Sequence, residues 1–206
     1  MRTGRLKILK KFYGITTKTN MSLPNKDEAK ALLEEYVTDT YQRFHALMVA
    51  TAMEGYATKL NQDPQLWFTT GYLHDIDYDQ HPTEHPGPSL EWFKKWNYPP
   101  ELGQAVLAHA NGFNGFTTPA TSKLDKALIA CDEICGIFYA YQKLNPIPFG
   151  DMKAKSIKKR LKEERFAPGI DRKHIINGVA DFGITIDEHV DNLIEFFSDL
   201  DSPVVQ

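Results

Sequence analysis

The chain has 206 residues, a length that suits one compact domain with a core large enough to need no disulfide bonds. Hydrophobic residues make up 42% and charged residues 25%, and two cysteines are too few for a disulfide scaffold. No stretch approaches the ~18 consecutive apolar residues of a transmembrane helix. Collagenous, disordered, membrane-spanning and disulfide-rich classes are therefore excluded.

The net charge of -3 is the sum of two unlike parts. Residues 1–20 contain six basic residues and no acidic one, which leaves 18 basic against 27 acidic residues, or -9, from Met21 onward. We predict a basic N-terminal extension at 1–20, with a transit segment or a start at Met21 as the alternatives, and a single domain at 21–206. An acidic domain does not suit extended nucleic acid, because phosphate neutralisation requires a basic surface. We expect no membrane partner and a cytoplasmic location, and the oligomeric state stays open.

Helical patterns follow one another along the chain, and no convincing alternation of period two interrupts them. Capping boxes at Asn25 and Ser122 and the Asp63-Pro64 pair mark three helix starts. Two loops are predicted at about 77–88 and 111–121. The sequence predicts an all-α fold with helices at about 26–36, 41–60, 64–74, 90–96, 100–109, 123–144, 151–165, 171–181 and 187–199.

Four polar residues lie on or beside apolar helix faces, namely His45, His74, Asp75 and Asp132. Each alone is explained as a satisfied core residue or a helix cap, since a buried polar group is costly unless it is paired. Together they suit a metal ion held between helices of a bundle. The adjacent His74-Asp75 pair ends a predicted helix, where the backbone can relax so that both side chains reach one ion.

The order of these residues resembles a known signature. His45, then His74-Asp75, then Asp132 resembles the H…HD…D pattern of the HD-domain metal-dependent phosphohydrolase superfamily. Four segments further resemble those of its HDIG-type hydrolases, at 71–79, 131–136, 156–159 and 166–172. The resemblance covers roughly residues 28–200 and implies an HD-domain helical bundle with additional C-terminal helices.

The resemblance implies a first ion bound by His45, His74, Asp75 and Asp132. It also implies that a second ion, or the substrate, contacts two further histidines. His85 and His109 fit the family's order, although His81 lies in the same loop as His85. The other interpretation of His109 is a helix C-terminal cap. Six metal ligands are thus proposed: His45, His74, Asp75, His85, His109 and Asp132.

Imidazole and carboxylate ligands suit one or two divalent ions of Mn, Fe, Co, Ni, Zn or Mg. The resemblance implies a metal-dependent phosphatase or phosphodiesterase acting on a small phosphorylated metabolite or nucleotide. His74 and Asp75 would then be catalytic, with Asp75 bridging the two ions. Lys158, Lys159 and Arg172 are the expected phosphate contacts. Two alternatives remain open, a di-iron oxygenase on the same fold and a nucleotide-binding domain without catalysis.

Several other residues receive simpler interpretations. Glu133 or Asp77 is a candidate to orient the attacking water. His174 and His189 have charged neighbours, which predicts that both lie at the surface. Cys131 and Cys135 are four residues apart in an apolar run and are predicted to be small core residues.

Overall fold

The computed structural model describes residues 22–204, so the predicted basic extension at 1–20 lies outside the described residues. Within 22–204 the chain forms helices and turns without strands, which confirms the all-α prediction. A short 3-10 helix spans Phe149–Asp151. The α-helices are α1 (Lys26–Tyr36), α2 (Thr40–Lys59), α3 (Pro64–Leu73), α4 (Gly87–Lys95), α5 (Pro100–His109), α6 (Lys123–Leu144), α7 (Ala154–Lys162), α8 (Arg172–Phe182) and α9 (Ile186–Phe196).

The predicted capping residues are in place. The Asn25 side chain accepts a hydrogen bond from the Glu28 backbone N–H, and the Glu28 side chain accepts one from the Asn25 backbone N–H. Ser122 and Asp125 form the same reciprocal pair before α6. These bonds satisfy backbone donors that a helix start would otherwise leave without a partner, so helix starts follow closely from the sequence.

The two longest helices, α2 and α6, form the centre of the domain. Helix α2 packs on α3 and α6, while α6 also contacts α5, α7 and α8. Both long helices present nearly continuous buried faces of small and aliphatic residues. None of the helices within 22–204 is long and apolar enough to cross a membrane.

Helices α2 and α3 approach closely at Gly71. A Cβ atom at this position would lie 2.9 Å from the Ala50 Cα atom, a separation that side chains do not reach. Glycine therefore lets α3 lie directly against α2. This contact places the end of α3, and the His74-Asp75 pair that follows it, beside the middle of α2.

The boundaries of α7 and α4 differ from the predicted ones. The helix predicted at 151–165 is only Ala154–Lys162, because the preceding 3-10 helix turns Phe149 into the core and Met152 is also buried. Helix α4 begins at Gly87, earlier than predicted, since a proline is tolerated in the first helical turn. Neither difference moves a proposed ligand.

Candidate metal centre

Three side chains from separate parts of the bundle form a first cluster, consisting of His45, His74 and Asp132. His45 lies in α2, His74 directly follows α3, and Asp132 lies in α6. The Nε2 atoms of His45 and His74 lie 2.9 and 3.4 Å from the Oδ1 atom of Asp132. One ligand atom from each residue lies within 4.8 Å of the others, so the first cluster can hold a metal ion.

A second cluster, consisting of Asp75, His85 and His109, lies against the first. The Asp75 Oδ1 atom is 3.3 Å from His109 Nε2 and 3.4 Å from His85 Nε2. The other oxygen of Asp75, Oδ2, is 3.4 Å from His74 Nε2. Asp75 therefore faces the histidines of both clusters with different oxygen atoms, as a carboxylate shared between two ions would.

The His74 ring supplies a direct test of whether these residues fit a metal. Its Nδ1 atom lies 2.8 Å from the Gly71 carbonyl oxygen, which only accepts, so Nδ1 carries a proton. Its Nε2 atom is fully buried and has no hydrogen-bond partner. In the neutral ring, the Nε2 lone pair faces the negative carboxylates of Asp75 and Asp132, which is unfavourable. A cation bound at Nε2 would relieve this repulsion. Imidazole and carboxylate groups are ligands that divalent metals accept.

The electrostatics of the clusters favour a cation. Burial alone would lower the pKa of His74, but the charges of Asp75 and Asp132 outweigh it and raise that pKa well above its ordinary value. Burial alone would likewise raise the pKa of Asp75 and Asp132, yet the neighbouring histidines hold both pKa values well below the usual range. Both carboxylates are therefore ionised at neutral pH, the state that metal binding requires, while a metal ion at His74 would replace the proton that these carboxylates stabilise.

The second ring nitrogen of each further histidine is also accounted for. His109 is the last residue of α5, and its Nδ1 atom donates to the Val106 carbonyl at 2.6 Å. His85 Nδ1 lies 2.7 Å from the Asp77 carboxylate. In both residues Nε2 is left facing Asp75. The structure thus gives His109 a carboxylate neighbour in addition to its place at a helix end.

The structure also distinguishes the two histidines of the 77–88 loop. His85 is buried and reaches Asp75, whereas His81 is partly exposed and pairs with Glu84 at 3.0 Å. Both histidines belong to the same short turn-rich segment, in which the resemblance favours His85. The fold brings together the six residues proposed as ligands, and His85 is the histidine of this loop that reaches Asp75.

An open cavity of about 440 Å³ lies in front of the clusters. Its wall contains His45, Asp75, His85, His109 and Asp132. The sequence analysis did not single out most of the remaining wall. These residues come from α2, the 77–88 and 111–121 loops, α6, the segment before α8 and the start of α8. They include Tyr41, Gln42, Tyr78, Asn111, Phe113, Gly136, Ile170, Asp171 and His174.

Glu133 faces the same cavity beside Asp132. Burial, together with the negative charge of Asp132, raises the pKa of Glu133 to about 7. This residue thus remains a candidate for proton transfer in the cavity. Asp77, the other candidate for orienting water, is fully buried behind His85 and does not line the cavity.

The basic residues expected to contact phosphate lie elsewhere. Lys158 pairs with Asp187 at 3.1 Å and lines a separate groove between α7, α8 and α9. Lys159 lies in the same groove, 3.7 Å from Glu163. The sequence could not reveal this, because the direction of a helix face depends on which neighbours it packs against.

The side chain of Arg172 is hydrogen-bonded to backbone carbonyl groups. Its guanidinium group donates to four carbonyl oxygens of the preceding loop, at Glu163, Phe166, Ala167 and Ile170. It does not line the cavity. Its observed role is to hold the loop that carries Ile170 into the cavity wall, and the geometry gives no support to a direct phosphate contact.

The surface prediction is wrong for His189. This residue is fully buried, with Nδ1 2.5 Å from the Tyr56 hydroxyl and Nε2 2.9 Å from the Ala130 carbonyl. Its charged neighbours on the same helix do not reveal this position, because they point in other directions. His174 is partly exposed, and it lines the cavity.

The cysteines behave as predicted. Cys131 and Cys135 are free and fully buried, and the Cys135 thiol lies 3.0 Å from the Cys131 carbonyl oxygen. Burial raises the pKa of both thiols. Neither cysteine lines the cavity, so both serve as small core residues of α6.

These observations define a class of protein, an all-helical domain in which imidazoles and carboxylates from several helices converge on one open cavity. Residues 44–137 match the family model of the HD domain, a segment that includes all six proposed ligands. Residues 44–137 thus form an HD domain, as the resemblance predicted. HD domains are typical of metal-dependent hydrolases. Searches of curated proteins and of solved structures found no match.

Proposed function

We propose that the protein is a metal-dependent phosphohydrolase that acts on a small phosphorylated metabolite or nucleotide. The observation that carries this proposal is the position of Asp75, which faces histidines of both clusters at 3.3–3.4 Å beside an open cavity. A carboxylate in this position suits a pair of ions that act on one phosphate group.

The first cluster would hold one divalent ion and the second cluster another, with Asp75 between them. Bound divalent ions supply a Lewis acid for the phosphoryl oxygen and lower the pKa of coordinated water. His74 and Asp75 are catalytic in this proposal because they hold the reacting centre. The residues Lys158 and Arg172 take no part in it, since their side chains are engaged elsewhere.

The remaining wall of the cavity suits the organic part of such a substrate. Tyr41, Tyr78 and Phe113 offer aromatic surface, and the amide of Asn111 offers both a donor and an acceptor. Glu133 is placed to exchange a proton with the bound molecule. A cavity of about 440 Å³ has the size of a small-metabolite site.

The test is elemental analysis of the purified protein, followed by a panel of phosphate esters assayed with the metal that is found. We expect His74→Ala and Asp75→Ala to lose metal and to lower kcat/KM by about 100-fold or more, the scale for removing a preorganised active-site group. Full activity of folded, metal-stripped protein would refute the proposal. So would retained iron with a mixed-valence signal and no phosphatase activity, which indicates an oxygenase.

The chain offers a matched control within one loop. His85→Ala removes a residue that reaches Asp75, whereas His81→Ala removes one that pairs with Glu84 outside the cavity. We expect His85→Ala to reduce activity and His81→Ala to leave it within about twofold, a change worth under 0.5 kcal/mol. Equal losses in the two variants would show that the effect comes from the loop and not from the ligand position.

A further inference from the structure

Asp77 is a buried carboxylate that the proposed reaction does not use. Its exposed fraction is 0%. One oxygen lies 2.7 Å from His85 Nδ1, and the other accepts a hydrogen bond from the Ser89 backbone N–H at 3.2 Å. A buried carboxylate needs such partners, because desolvation of its charge is costly. Asp77 is thus held from two sides, by the 77–88 loop and by α4.

His85 is oriented differently from His74 and His109. The Nδ1 atoms of His74 and His109 face backbone carbonyls, at Gly71 and Val106. These contacts form within one helical turn and survive most substitutions of neighbouring side chains. The ring of His85 is instead oriented by the side chain of Asp77, so a single substitution can release it.

The backbone of His85 is held independently of Asp77. The Asn114 side chain donates from Nδ2 to the carbonyl oxygens of His85 and Pro82, at 2.9 and 3.0 Å. The 111–121 loop therefore fixes the chain at His85, while Asp77 fixes the ring. Removing the Asp77 carboxylate should free the ring without displacing the loop.

We propose that Asp77 is a positioning residue for the second cluster. It holds the proton of His85 on Nδ1 and so keeps the Nε2 lone pair directed at Asp75 and at the ion of that cluster. Carboxylates that orient a metal-ligating histidine in this way typically affect metal affinity by 10- to 100-fold. The inference rests on the metal centre of the proposed function but not on its substrate.

The experiment titrates chelator-stripped protein with Mn²⁺ and follows free Mn²⁺ by electron paramagnetic resonance. We expect the wild-type chain to bind two ions. Asp77→Ala should keep one site at an affinity within about threefold of the wild type and weaken the other by 10- to 100-fold. Asp77→Asn should weaken that site less, because an amide oxygen still accepts the Nδ1 proton.

The control is Asp79→Ala, a carboxylate two residues further along that accepts hydrogen bonds from the Thr38 backbone N–H and hydroxyl outside the cavity. It should leave both Mn²⁺ affinities unchanged. Three results would each overturn the role of Asp77. They are two unchanged sites in Asp77→Ala, equal weakening of both sites in that variant, and a single site in the wild-type chain. Phosphatase activity is measured separately, so failure of the role of Asp77 is distinguishable from failure of the proposed function.

Discussion

Acidification should destabilise this protein through His189, a buried histidine that does not line the cavity. Its Nε2 atom faces the Ala130 carbonyl, an acceptor, so Nε2 carries the proton and Nδ1 accepts from the Tyr56 hydroxyl. The Tyr56 oxygen in turn accepts from Asn192, which also accepts from the Lys59 ammonium. A second proton on His189, at Nδ1, would disrupt this network, because the Tyr56 hydroxyl would lose the acceptor to which it now donates.

The size of the effect follows from the buried ring. Burial lowers the pKa of His189 from 6.5 to about 4, and the hydrogen bond to Ala130 offsets only part of this. Between these values the unfolded chain binds a proton that the folded chain does not. The contribution of neutral His189 to the free energy of unfolding is therefore complete above about pH 6.5. This contribution is lost as the pH falls toward 4. Since a tenfold change in proton affinity is worth about 1.4 kcal/mol, the loss is about 3 kcal/mol.

The assay is urea unfolding of the wild-type chain and His189→Gln at intervals from pH 7 to pH 4. Glutamine keeps a donor and an acceptor but does not titrate. The carboxylates and other histidines are common to both proteins, so their contributions cancel in the difference between the two curves. We expect the wild-type advantage in unfolding free energy to shrink by about 3 kcal/mol over this range.

A matched variant separates titration from packing. Tyr56→Phe removes the hydroxyl that faces His189 but leaves the ring buried, so its pH dependence should stay close to that of the wild type. Parallel curves for the wild type and His189→Gln across the whole range would refute the reasoning.

Two further predictions concern the supports of the cavity. Gly71→Ala should lower the free energy of unfolding by about 1–3 kcal/mol and reduce metal content. The reason is that a Cβ atom 2.9 Å from the Ala50 Cα atom forces α2 and α3 apart. An unchanged midpoint of urea unfolding would contradict this prediction. Arg172→Lys should lower the free energy of unfolding by about 1–3 kcal/mol and speed amide hydrogen exchange across 163–170. The reason is that lysine cannot donate to the same four carbonyl oxygens. Unaltered exchange in this segment would contradict the prediction.

The helices and four of the proposed ligands follow from local patterns. A capping box acts over three residues, and an apolar stripe over one or two helical turns, so both are visible in the printed sequence. The same locality makes His45, His74, Asp75 and Asp132 conspicuous, because each interrupts an apolar helix face. The structure brings these four together, as expected when such faces meet in one core.

The positions of Lys158, Arg172 and His189 are not visible in the sequence. Lys158 and Arg172 occur in segments that resemble the family's, but Lys158 lines a separate groove and Arg172 donates to carbonyl oxygens of the preceding loop. His189 has charged neighbours in sequence and still faces the core. A residue's neighbours along a helix point in several directions, so they do not report which face is buried.

The sequence by itself determined the helical class, the helix starts that carry a capping residue, and the histidines and aspartates that could form a metal centre. Only the tertiary structure decided that His85 and not His81 faces Asp75, and that Asp77 orients it. Both histidines lie in one irregular loop, where no periodicity gives the direction of a side chain. The ring of His85 is held by Asp77, which also contacts the start of α4, and its backbone is held by Asn114 of the 111–121 loop. These groups meet only in the folded chain.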